Sequence, residues 1–127
     1  NINGVRKIFK AFIDNKVVCL AADQVPKRGM GEYIKFFNTD AYTTTLAASM
    51  VYKTKKPAVF ICMNSFENNR LGITIYPSNE SIYNDSEYKL SINQSIEDLI
   101  KINPKDYSWE YKRFRRSPSG IDPYVGI

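Results

Sequence analysis

The chain has 127 residues, 43% hydrophobic and 24% charged, which fits one globular domain with a single core and excludes a disordered tail. Its net charge of +5, from 18 Lys and Arg against 13 Asp and Glu, favours an anionic partner (phosphate, nucleic acid, acidic protein or anionic lipid) without choosing among them. Histidine is absent, which excludes within these residues a histidine general base, a Ser-His or Cys-His pair and a histidine-containing zinc site. Neither a signal peptide nor an apolar span of about 18 residues appears, and a chain beginning at Asn1 rather than Met reads as a processed or excised piece.

Asn3 is placed to cap a first helix, because Val5, Ile8, Phe9, Phe12 and Ile13 recur at helical spacing with Arg6, Lys7 and Lys10 outside. Residues 17–22, VVCLAA, are apolar without alternation, as in a central parallel strand covered on both faces. Asp23 and Gln24 then stand at that strand's C-terminal rim, where an α/β sheet presents polar groups to a crevice. Pro26, Gly29 and Gly31 make 23–32 a loop that exposes Lys27 and Arg28, and 33–37 reads as a short strand or extended arm. The hydroxyl-rich run 40–45 reads as a helix start, with Leu46, Ala47, Met50 and Val51 as the apolar face and Lys53, Lys55 and Lys56 complementing the C-terminus. Pro57 opens another apolar run at 58–63, so strand 17–22, helix 44–53 and strand 58–63 predict a right-handed βαβ unit.

Residues 72–76 alternate, as expected of a strand returning antiparallel, and 78–89 is polar and irregular. Ser91 opens a last helix marked by Ile92, Ile96, Leu99 and Ile100 and stopped by Pro104. The expected fold class is therefore α/β, a mixed, mainly parallel sheet with flanking helices built around the βαβ unit. One domain spans 1–127, with 117–127 as a flexible tail. Cys19 and Cys62 lie in apolar runs and read as buried reduced thiols, which suits a cytosol-facing protein.

Three groupings have functional as well as ordinary readings. Asp23 and Gln24 orient a substrate hydroxyl or cap a turn. In 109–116, extended geometry puts Trp109, Tyr111, Arg113 and Arg115 on one face, which suits nucleic-acid stacking, an anionic lipid surface, or a solvated basic edge. Thr43, Thr44 and Thr45 at a helix start bind an anion or simply cap.

The order apolar strand, Asp23-Gln24, a loop with Pro26 and Gly29, Phe36-Phe37, Thr44-Thr45, small-residue helix, Pro57 strand and finally Tyr107-x-Trp109-x-x-x-Arg113-Phe114-x-x-x-Pro118 resembles the lipid A biosynthesis acyltransferases, the late enzymes that add lauroyl or myristoyl chains. The likeness runs from Val5 to Gly120. It departs from the family's pattern at Asn38, commonly Gly, and at Glu110-Tyr111, commonly an apolar residue and His.

The resemblance implies the C-terminal part of a glycerolipid-acyltransferase-like fold. It implies transfer of an acyl chain from acyl carrier protein to a hydroxyl of a lipid A precursor, at the cytoplasmic face of the inner membrane, with no metal or cofactor. The family's His-x4-Asp/Glu base and its membrane anchor belong to an N-terminal half, so this chain is expected to be inactive alone and to hold no catalytic residue of its own. Asp23 and Gln24 become supporting residues of the cleft. Arg28, Phe36, Phe37, Thr44, Trp109, Lys112, Arg113 and Arg115 become substrate-binding candidates, with lipid A phosphates, interfacial lipid or the acidic carrier protein meeting the basic ones. The alternative is a non-catalytic basic α/β module for an anionic partner; nucleic acid ranks last, since no recognition helix or aromatic RNA-binding signature is present.

Overall fold

In a computed structural model, residues 2–126 are described. Helix α1 (Ile2–Ile13) is followed by an irregular stretch, then strands β1 (Gly31–Phe36) and β2 (Thr39–Thr44). Helix α2 (Leu46–Thr54), strands β3 (Val59–Phe66) and β4 (Arg70–Pro77), and helix α3 (Tyr88–Ile102) complete the order, with 3₁₀ turns at Glu80–Tyr83 and Pro104–Asp106. Helices and strands mix as expected. The sheets, however, are two separate antiparallel hairpins, β1 with β2 and β3 with β4, so the mainly parallel sheet is not observed among the described residues.

The βαβ unit fails at its first strand. Residues 17–22 form no strand and belong to neither sheet, and Val17 is 92% exposed. A non-alternating apolar run is stable as a strand only with ladders on its edges and cover on both faces. Here no backbone hydrogen bond is made by 17–21 to another backbone group among the described residues. For the same reason Cys19 is exposed and only Cys62 is half-buried, against the expectation of two buried thiols.

Residues 40–45 also depart from the expected helix start. β-branched threonines favour a pleated strand, and a two-residue turn at Phe37 and Asn38, with φ of 45° and 61°, returns the chain antiparallel along β1. The Lys35–Asp40 ion pair (3.0 Å) sits beside that turn. Thr43 is consequently buried inside β2, and Thr45, which precedes α2, makes no side-chain cap bond. Asn3 lies inside α1 rather than before it, and Ser91 inside α3, where its hydroxyl donates to the Tyr88 carbonyl (2.8 Å). In the stretch 78–89 the Glu80–Tyr83 turn buries Ile82 fully, so this polar segment contributes to the core.

That core joins the hairpin and the helices: Phe36 and Ala41 from β1 and β2, Ala48 and Val51 from α2, Ile82, and Ile92, Ile96 and Ile100 from α3. The i, i+4, i+8 spacing of the three isoleucines puts them on one stripe of α3. Lys56, just beyond α2, collects the last carbonyls of α1: its Nζ donates to Phe12 O and Ile13 O, both at 2.7 Å, and to Asn15 Oδ1. An ammonium on the C-terminal carbonyls complements the helix dipole and ties α1 to the segment after α2.

Candidate active site

Because 17–24 stands away from β3 instead of pairing with it, a groove of about 1050 Å³ opens between them, floored by apolar side chains of α2 and α3. Met50, Val51, Phe60, Ile96, Leu99 and Ile100 supply its apolar lining, and Asp23, Cys62 and Tyr107 lie along it. The inner wall is the face of the β3–β4 ribbon bearing Phe60, Cys62 and Tyr76. Concave, apolar and sparsely polar is the usual composition of a small-molecule site.

The polar groups of the groove influence one another. Burial, reinforced by the Asp23 carboxylate, pushes both the Cys62 thiol and the Tyr107 phenol above their ordinary values. The Tyr107 hydroxyl is buried without a hydrogen-bond partner among the described residues, and so is Arg113 Nε. A buried hydroxyl without a partner costs about 1–3 kcal/mol, so a ligand that accepts from it recovers that energy. Tyr107 is the residue that sequence reasoning undervalued. Its place at the head of the Tyr-x-Trp motif was the only signal, since it packs against a core drawn from distant elements.

Residues 109–116 do not form the alternating extended segment considered for them but a series of turns, because their partners lie in different directions. Arg113 is the pivot. Only 2% exposed, it donates from Nη1 to the Tyr42 carbonyl (2.9 Å) and from Nη2 to Thr43 Oγ1 (2.7 Å), with Asn93 Oδ1 at 3.5 Å. Its guanidinium lies 5.2 Å from the Phe36 ring centroid. Asn93, itself buried in α3, donates to Lys35 O (2.9 Å) and to Thr43 Oγ1 (3.1 Å). Burial holds the Arg113 guanidinium below its usual range, with Tyr107, Tyr111, Asp23 and Tyr124 acting in the opposite direction.

The same segment fixes the loop after Asp23. The Val25 N–H donates to Tyr111 Oη (2.7 Å), and Arg116 Nη1 donates to Pro26 O (2.7 Å). The Gly29 and Gly31 N–H groups both donate to Tyr42 Oη, at 3.0 and 3.2 Å. Gly31 is required there: a Cβ would stand 2.5 Å from the Thr43 carbonyl oxygen and 2.7 Å from Pro26 Cγ.

The predicted site residues are therefore dispersed. Asp23 is half-buried on the groove, whereas Gln24 is exposed beyond it. Phe36 belongs to the core, and Phe37 sits at the hairpin turn with its N–H on Glu97 Oε1 (2.9 Å). Thr44 closes β2, and Arg28 is exposed on the loop. Trp109 is exposed and anchored through Nε1 to Pro104 O (2.7 Å). Lys112 and Arg115 are exposed cations beside the buried Arg113, with Arg115 over the Tyr111 ring at 5.2 Å. No cluster of metal-ligating side chains occurs among the described residues.

The groove is thus apolar and sparsely polar, with Asp23 and Tyr107 on its wall. The family model for bacterial lipid A biosynthesis acyltransferases matches residues 1–116, most of the chain, and the chain belongs to that family. Among curated proteins no match is found.

Proposed function

We propose that the groove holds the fatty acyl chain during transfer from acyl carrier protein to a hydroxyl of a lipid A precursor, with this chain acting as the C-terminal half of the enzyme. The apolar groove ending near Asp23 and Tyr107 carries this reading. Each methylene removed from water contributes about 0.8 kcal/mol, so a twelve-carbon chain supplies up to roughly 9 kcal/mol before ordering costs.

In this reading the acceptor's hydroxyl oxygen attacks the thioester carbonyl carbon while a base takes its proton, and the carbon–sulfur bond breaks to give the ester and the carrier's thiol, whose sulfur receives that proton. With no histidine among these 127 residues, that base is contributed from outside them, as the family's His-x4-Asp/Glu pair. Asp23 and Gln24 support the cleft, and the Tyr107 hydroxyl is available to donate to a carbonyl oxygen. Lys112 and Arg115, both exposed, suit lipid phosphates or the acidic carrier protein. Arg28, Trp109, Phe37 and Thr44 remain surface candidates for the lipid. Arg113 and Phe36 serve the substrate indirectly, through the scaffold they hold. The working location is the cytoplasmic face of the inner membrane; no described helix is long and apolar enough to cross a membrane, so attachment rests on the basic surface or on the other half.

The test is transfer from acyl carrier protein measured with the purified chain alone and after co-expression with the upstream coding segment. We expect no turnover alone, turnover after co-expression, and a loss of at least about tenfold, ~1.4 kcal/mol in barrier, for Asp23→Asn. Turnover by the isolated chain would overturn the division of labour. Full activity of Asp23→Asn would reduce Asp23 to a loop residue. A chain that retains anionic lipid but never transfers acyl groups would instead fit the non-catalytic anion-binding module.

A further inference from the structure

Helix α1 has a wider apolar arc than the protein covers. None of its residues 3–13 is buried, whereas α2 and α3 each bury several. Phe12, on the inner edge of the arc, packs against the core, and Lys56 holds the helix by the Phe12 and Ile13 carbonyls. Val5, Phe9 and Ile13, spaced four apart, form the outer edge, where Ile13 is 51% exposed. Arg6, Lys10 and Asp14 follow the same path one residue on, and the two stripes share an open hollow.

Charge selects the partner for this edge. Ile2–Ile13 carries Arg6, Lys7 and Lys10, all exposed, and no carboxylate. Asp14, just beyond, pairs with Lys10 at 3.2 Å, an exposed ion pair that contributes little. Covering the hollow with a folded protein would desolvate Arg6 and Lys10, which is unfavourable unless each meets a carboxylate, and charged groups are depleted from the centres of such interfaces. An anionic bilayer takes the arrangement as it stands. The apolar edge enters the acyl boundary, the Arg and Lys stems lie along it, and their charged ends stay among the phosphates.

We propose that α1 lies in the surface of an anionic membrane, with Val5, Phe9 and Ile13 in the acyl boundary and Arg6 and Lys10 on lipid phosphates. The proposal is independent of the acyl-transfer reading, because binding is measured without turnover. The test is co-sedimentation of the full chain with mixed phosphatidylglycerol and phosphatidylcholine vesicles, and with phosphatidylcholine alone, at about 0.1 M salt. The expected result is binding at least about tenfold tighter to the anionic vesicles. Arg6→Gln/Lys10→Gln should weaken that binding at least about tenfold, since each cation near such a surface contributes roughly a fivefold factor. Ile13→Ser should weaken it about threefold or more.

All three side chains are exposed, so the far-ultraviolet circular dichroism of the variants should match the parent's. If the double variant is unfolded, Arg6→Gln alone should still give about a fivefold loss. Equal binding to the two kinds of vesicle, or binding that survives the α1 substitutions and is lost in Lys112→Ala/Arg115→Ala, overturns the proposal. So does a chain that ignores the vesicles while its α1 amides gain hydrogen-exchange protection on co-expression with the upstream coding segment, which would assign the helix to the other half.

Discussion

Replacing Arg113 by Ala tests whether the C-terminal turns and the hairpin form one unit. The guanidinium makes two short hydrogen bonds, to the Tyr42 carbonyl and Thr43 Oγ1, and lies over the Phe36 ring. Hydrogen bonds to a charged group contribute roughly 1.5–3 kcal/mol each, and the ring contact up to about 2 kcal/mol when desolvated. Against them stands the desolvation of a guanidinium with no carboxylate bonded to it, several kcal/mol in effective terms.

The balance, together with the cavity left by the side chain, sets the expected loss for Arg113→Ala at about 2–4 kcal/mol. Arg113→Met keeps the apolar stem and sheds the charge, so its loss should be smaller. Lys112→Ala, on the neighbouring exposed side chain, should stay within about 0.5 kcal/mol of the parent. Urea denaturation followed by far-ultraviolet circular dichroism measures all three. A loss for Arg113→Ala below about 1 kcal/mol, or equal to that of Lys112→Ala, would refute Arg113 as the pivot.

Tyr107→Phe removes a buried hydroxyl that has no protein partner, so it should leave stability unchanged or raise it by up to about 1 kcal/mol. In the co-expressed enzyme the same change should slow transfer, a combination that a purely structural tyrosine would not give. The phenol's raised pKa also has a pH signature: the unfolded chain ionises near 10.0 while the folded one does not, so stability is full below that pH and falls as pH rises above it. Tyr107→Phe should flatten part of that alkaline fall, seen in urea midpoints between about pH 9 and 11. Gly31→Ala should destabilise by roughly 1–3 kcal/mol, because Thr43 O is backbone and cannot yield; a neutral result would contradict the close approach of loop and hairpin.

Where a residue's structure depended on its neighbours in sequence, the sequence was a good guide. The 3.6-residue spacing of Val5, Ile8, Phe9 and Phe12 led to α1, and Ile92, Ile96 and Ile100 led to α3 and the core. The alternation in 72–76 led to β4 paired antiparallel with β3. Alternation tells which residues share a face but not which face meets the core, and Ile73 and Ile75 are exposed.

The central strand at 17–22 was misread because an apolar run announces a need for burial and pairing without supplying a partner. The Thr-rich run 40–45 was misread because capping and β-branched preference compete at the same residues, and the Phe37–Asn38 turn decides between them. At the site, the sheet rim expected to carry Asp23 is absent with the strand at 17–22, and Asp23 instead lies along the groove. Tyr107 was not legible, because packing against a core drawn from distant elements leaves no local pattern. Arg113 was legible as a motif residue, while its burial under Thr43 and Asn93, 70 and 20 residues away, was not.

The central claim, an acyl chain seated between residues 17–24 and β3, is tested most directly at Cys62. This thiol is half-buried in the groove, and Cys62 and Cys19 are both free to report. Alkylation by N-ethylmaleimide, followed by mass spectrometry with and without a saturating non-hydrolysable lauroyl amide, should show Cys62 protected by about tenfold or more, in line with a group covered in the bound state. An octanol control of equal apolar concentration should give less protection. Modification of Cys62 at the same rate with and without the lauroyl compound would contradict the account.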